Sequence, residues 1–169
     1  MDFIELLTQS FQDPIIYSFL FFVYSVLAAV ILPIPVEIGL FNPYIHPLLL
    51  ISILAVGKGV GSGIVFIIGS NLRSFLKKFN SSTSLIKKIL YYCEVFVKKY
   101  GYIGLFIIMS IPLMIDSVSL YLFSLLNPEE DSGKHALAKR RFIIINIAAG
   151  FVRGTIIIIT AIFFKIQLV

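Results

Sequence analysis

Residues 47–72 carry a single charge, Lys58, inside an apolar run longer than the roughly 20 residues that cross a hydrocarbon core. Residues 142–164 repeat the pattern around Arg153. Residues 15–32 have no charge at all and lie at the lower limit of a span. Runs of this kind need either a bilayer or a large apolar core around them. The chain has 169 residues, 59% hydrophobic and only 14% charged, whereas a soluble domain is about a quarter charged. It has too few polar side chains to cover itself in water, which excludes an ordinary cytosolic enzyme and a disordered tail. Cys93 is the only cysteine, so a disulfide scaffold and a cysteine metal cluster are excluded as well. The expectation is an all-α, polytopic membrane protein, one domain over residues 1–169.

The net charge of +5 is unevenly placed. Residues 1–14 carry Asp2, Glu5 and Asp13 and no cation. Residues 73–100 carry Arg73, Lys77, Lys78, Lys87, Lys88, Lys98 and Lys99 against Glu94, and residues 127–141 add Lys134, Lys139, Arg140 and Arg141. The positive-inside bias makes 73–100 and 127–141 cytoplasmic loops of a multi-pass plasma-membrane protein with an external N-terminus. Basic clusters flanked by apolar spans face anionic headgroups, so no nucleic-acid partner is expected. The first apolar run lacks a basic leader, and no cleavable signal peptide is expected. Within 73–100, Leu85, Ile86, Ile89, Leu90, Cys93, Phe96, Val97 and Tyr100 recur at helical spacing beside lysines, which predicts a cytoplasmic amphipathic helix.

Topology then constrains residues 101–126. Both flanks are basic and belong inside, yet the segment is too short to cross twice. A re-entrant hairpin bent at Pro112 satisfies both conditions. Pro33 and Pro35 predict a similar bend after residues 15–32, with a full crossing by that run as the alternative.

The two halves, about 15–72 and about 101–164, echo each other across the basic linker 73–100. Leu32-Pro33-Ile34-Pro35-Val36-Glu37 parallels Ile111-Pro112-Leu113-Met114-Ile115-Asp116. A span with a cation beside glycines follows each break, with Gly57, Lys58 and Gly61 in one and Gly150, Arg153 and Gly154 in the other. Two halves of opposite topology, each a proline-broken re-entrant hairpin followed by a transmembrane helix, match a recurring transporter plan with the substrate held between inverted repeats. Charges inside apolar segments cost about 2.5–3.5 kcal/mol each on insertion scales unless paired or wet. Glu37 and Asp116 are therefore expected to face Lys58 and Arg153 across a central site. There the cations bind an anionic substrate group, and the acids serve gating or ion coupling. The plainer alternative is that the four form ion pairs that only hold the hairpins in place.

The run from Gly57 to Gly63 lacks the Walker spacing of a phosphate loop. Gly57 with Gly61, Gly59 with Gly63 and Gly150 with Gly154 instead present small faces for close helix packing, within the chain or in a homodimer. Gly69 and Ser70 extend one such face. His46 and His135 have no companions at metal-ligand spacing, and no metal or cofactor is expected. Asn146 suits an interhelical hydrogen bond, and Tyr91, Tyr92, Tyr100 and Tyr102 suit a headgroup-level belt. No serine or cysteine has a base beside it, so enzymatic catalysis is not expected.

The break from Leu32 to Glu37, the glycine-rich span Gly57 to Gly69, and Lys99-Tyr100-Gly101 leading to Ile111-Pro112 together resemble the DedA family of membrane proteins, also called the VTT or SNARE-associated family. The likeness is greatest to its small prokaryotic branch and covers roughly residues 20–160. The resemblance implies facing re-entrant hairpins and lipid translocation: recycling of polyprenyl-phosphate carriers or scrambling of phospholipids, in some members linked to proton motive force. Glu37 matches the family's acidic position after the first break. Arginines that larger members carry three residues either side of the second proline are replaced here by Met109 and Ile115, and Asp116 occupies that region. The expected function is translocation of an anionic lipid or polyprenyl phosphate. A small-solute or ion exporter of similar architecture and a non-transporting membrane scaffold are the alternatives.

Overall fold

The computed structural model describes residues 9–31, 36–78, 84–127 and 137–164. Among them are five α-helices, no strand and one 3-10 segment. Helix α1 spans Pro14–Val30, the 3-10 segment Val36–Leu40, α2 Pro47–Lys78, α3 Ser84–Ser110, α4 Asp116–Leu125 and α5 Lys139–Phe163. Pro47–Leu72 of α2 and all of α5 are long and apolar enough to cross a membrane. At 1.5 Å per residue, α1 is about 25 Å long, short of a hydrocarbon core of about 30 Å.

Local chemistry sets the helix ends. Asp13 caps α1 by accepting from the amides of Ile15 and Ile16 at 3.0 and 3.2 Å, with Pro14 at the first helical position, where a missing N–H costs nothing. Tyr17 donates its hydroxyl to the Gly39 carbonyl at 2.9 Å and so fastens the 3-10 segment back onto α1. His46 accepts from the Leu48 amide at 3.3 Å at the start of α2. Helix α3 stops at Ser110 because Pro112 disfavours helical geometry at Ile111. The chain then turns through Leu113, whose φ of 62° lies in the left-handed region, and re-enters a helix at Asp116. Pro33 and Pro35, the bends expected in the first half, lie outside the described residues.

Helix α2 is the hub, packed chiefly against α5 and α1 and then against α4. Gly154 faces Ile51, Gly150 faces Ala55, Gly59 faces Ile147 and Gly63 faces Ile143, so α2 and α5 run antiparallel. Several approaches leave no room for a side chain. A methyl group on Gly61 would come within 2.5 Å of the Ala29 Cβ, and one on Gly150 within 2.9 Å of the Ala55 Cα. Gly57 lies equally close to Ser25 of α1, and Gly69 packs onto Ser124 of α4. Thus the Gly57/Gly61 face meets α1, whereas Gly59 and Gly63 lie toward α5.

Two apolar clusters make the core. Tyr17, Phe21, Leu50, Leu54 and Ile157 belong to one, and Val65, Leu105, Met109, Phe123, Phe142 and Ala149 belong to the other. Along α2 the seam between them falls between Leu54 and Val65, and along α5 between Ala149 and Ile157. Lys58 and Arg153 sit in that seam. Large apolar side chains such as Phe19, Ile107, Ile144 and Ile159 point away from both clusters and are exposed. An outer surface of this kind suits lipid contact.

The boundary at residue 100 between an amphipathic helix and the following apolar segment does not correspond to a break. Ser84–Ser110 is one continuous helix, because a change from lysine-rich to apolar side chains does not interrupt main-chain hydrogen bonding. The side chains of residues 84–94, 96 and 98 lie outside the described ones, Cys93, Tyr91 and Tyr92 among them, so of the expected amphipathic face only Val97, which is buried, and Tyr100, which is exposed, are described.

Candidate functional site

Four charged side chains meet in the seam. Lys58 approaches from the middle of α2, Arg153 from the middle of α5, Glu37 from the 3-10 segment and Asp116 from the first turn of α4. All are buried: Lys58 is 0% exposed, Arg153 1%, and Glu37 and Asp116 5% each. Arg153 is the centre. Its Nε donates to Glu37 Oε1 at 2.7 Å and its Nη1 to Asp116 Oδ1 at 2.7 Å. Its Nη2 donates to Glu37 Oε1 and to the Met114 carbonyl, the latter at 3.0 Å. Lys58 Nζ pairs with the same Asp116 Oδ1 at 3.1 Å.

The cluster also answers the main-chain requirements of the helix break. Lys58 Nζ donates to the Met109 carbonyl at 3.3 Å, one of the carbonyls that the end of α3 leaves without an intrahelical partner. A cation there and an acid, Asp116, at the start of α4 both complement the helix dipoles. Glu37 Oε1 accepts from the Leu113 amide at 3.0 Å, across 76 positions of sequence. Four charges and three main-chain groups therefore hold the turn at residues 111–115 against the 3-10 segment, α2 and α5. No side chain caps α4, and its N-cap is Ile115.

The structure brings Glu37, Lys58, Asp116 and Arg153 together and puts Pro112 in the adjoining break. Two acids and two bases balance, which matters because an unpaired ion in a dry interior costs several kcal/mol. One acceptor is left over: Glu37 Oε2 is buried without a hydrogen-bond partner among the described residues. The same is true of Asn146 Oδ1, on a fully buried side chain whose amide donates to the Phe142 carbonyl at 2.8 Å within its own helix. Met109 is buried and takes part through its carbonyl, whereas Ile115 is exposed.

Other sequence candidates lie elsewhere. His46 is a helix-start residue, and His135 falls outside the described residues. Tyr102 accepts from the Ala138 amide at 2.8 Å, and Lys99 lies over the Tyr100 ring. Among the described residues no three His, Cys, Asp or Glu side chains form a group able to hold a metal ion. Sequence reasoning missed the part played by Asn127. Its side chain donates to the Leu137 carbonyl at 2.9 Å and accepts from the Leu137 amide at 2.7 Å, closing the base of the loop ahead of α5. The only advance signal was an Asn at the edge of a polar loop.

Neither family models, nor curated proteins, nor solved structures gave a match to this chain.

Proposed function

We propose that this chain is a multi-pass membrane transporter that passes an anionic lipid headgroup, a lipid phosphate or polyprenyl phosphate, through a site at Lys58 and Arg153. One observation carries the reading: charges from the middles of two membrane-length helices converge on two acids beside a broken helix. Intramembrane charges are costly, and where they occur they mark transport paths. The proposal takes the helix–break–helix at α3 and α4 as a re-entrant hairpin and α1 with the 3-10 segment as its inverted counterpart. The resemblance to the DedA family supports the same plan. In this reading the paired cluster is the resting arrangement. An arriving phosphate competes with Glu37 and Asp116 for the guanidinium and ammonium groups, and the displaced acids gate the step or bind a coupling cation.

Burial of all four charges favours a second reading, a small-solute or ion exporter, because it closes the site toward the lipid side. Proteoliposomes test both. The expected result is flipping of a fluorescent anionic lipid by the unaltered protein and at least tenfold slower flipping in Arg153→Lys, which keeps the charge but not the fork that joins Glu37 to Asp116. Efflux of small anions without lipid flipping selects the exporter. Lipid flipping unchanged from the unaltered protein in both Arg153→Lys and Lys58→Ala removes the assignment of the site.

A further inference from the structure

From the apolar groove between α2 and α5 we infer a second, peripheral lipid site, which holds one acyl chain of an anionic phospholipid from the cytoplasmic leaflet with its headgroup on Lys139. The groove is about 350 Å³ and lies outside the charged cluster. Gly59 and Gly63 form its floor, because neither projects a side chain into the space between the helices. Val56, Val60, Ile64 and Ile67 form one wall and are all 40–46% exposed. These side chains recur every three or four residues and so make one continuous stripe.

Length and charge identify the occupant. From Val56 to Ile67 the helix rises about 16 Å, and one leaflet of hydrocarbon is about 15 Å deep. The groove therefore runs from the level of Lys58, near the middle of the apolar segment Pro47–Leu72, to Ile67, five residues before its end. Lys139 stands at the Ile67 end of the groove, on the first turn of α5, followed by Arg140 and Arg141. Three cations at a helix N-terminus oppose the helix dipole, and no side chain caps this helix. A phosphate diester offers that terminus both negative charge and acceptor oxygens, and its acyl chain fills the stripe below. Arg141 is turned the other way, over the Tyr102 ring at 6.0 Å, so Lys139 is the groove's own cation.

The inference rests on the membrane reading but not on transport, since the Lys139→Gln and Ile64→Trp variants leave the four-charge cluster intact. The test uses the full chain in nanodiscs of equal phosphatidylglycerol and phosphatidylcholine, with retained lipids counted by native mass spectrometry. The unaltered protein is expected to keep phosphatidylglycerol preferentially. Lys139→Gln should lose about fivefold of that preference, equivalent to the roughly 1 kcal/mol that a cation contributes near an anionic surface. Arg141→Gln should keep the preference, and Ile64→Trp should retain one lipid fewer. Equal losses in Lys139→Gln and Arg141→Gln would overturn the site in favour of diffuse surface charge. An unchanged lipid count in Ile64→Trp would also overturn it, as would a dimer that this variant converts to monomer, because a second copy would then occupy the groove.

Discussion

Replacing Arg153 with methionine removes three contacts to carboxylates and one to the Met114 carbonyl while keeping most of the side-chain volume. Glu37 and Asp116 then share Lys58 alone, and the seam holds an uncompensated negative charge. Breaking a buried pair from one side costs about 3–5 kcal/mol. In a bilayer the unfolded reference also finds partners, so the lower end of that range, about 3 kcal/mol, is expected. Glu37→Gln alone leaves Arg153 paired with Asp116 and keeps an acceptor for the Leu113 amide, and should cost about 2 kcal/mol. The double variant restores neutrality, with Lys58 on Asp116. Its loss should therefore fall short of the sum by about 2 kcal/mol, roughly thirtyfold in the unfolding equilibrium. The contrasting pair, Arg153→Met with Asp116→Asn, also strips Lys58 of its partner and should recover less. Unfolding in mixed micelles with rising SDS, followed by far-UV circular dichroism because the chain has no tryptophan, gives the four free energies. Additivity within about 0.5 kcal/mol for Arg153 and Glu37 would refute the view that these groups act as one charge-balanced unit.

Three further predictions concern backbone and packing. Gly61→Leu forces a side chain into Ala29 and the Val26 carbonyl and should cost about 3 kcal/mol or prevent folding; a normal, monodisperse particle in detergent would contradict the close packing of α1 on α2. Leu113→Gly relieves a left-handed residue whose side chain is 75% exposed, so micelle unfolding should show stability equal or up to about 1 kcal/mol higher, whereas Leu113→Pro removes the amide that Glu37 accepts and should lower it. Asn127→Ala unfastens both main-chain bonds to Leu137 at a cost of about 1–3 kcal/mol and should speed proteolytic cleavage between residues 127 and 137; equal cleavage rates would show that the clasp does not hold the loop.

Much of the site was legible because charge in an apolar run is a loud signal. Lys58 and Arg153 have few alternatives to meeting Glu37 and Asp116 once they leave water, and the order of proline break, acid and cation placed them in comparable positions. The pairing itself was not legible. Asp116 takes both cations and Glu37 takes the guanidinium and an amide, and those choices depend on how α2 and α5 cross. The contributions of the Met109 and Met114 carbonyls and the Leu113 amide were hidden as well, since main-chain groups are the same at every residue and only a helix end makes them available. Among the helices, Pro47–Leu72 coincides with the span read from composition, but α2 continues to Lys78 because lysines propagate a helix as well as leucines do. The glycines announced close packing without naming partners, and only the antiparallel crossing separates the face toward α1 from the face toward α5.

Arg153 belongs to the last of the described helices, and the chain is made from its other end. During synthesis Glu37, Lys58 and Asp116 all emerge before the residue that balances them, and until then they carry a net single negative charge. The turn at residues 111–115 likewise waits for α5 to supply the donor to Met114. Packing of α5 against α2 is thus the step that balances the cluster and completes the turn. A chain halted before residue 153 leaves one acid of the cluster unneutralised in an apolar setting, and the arrival of one arginine ends that imbalance.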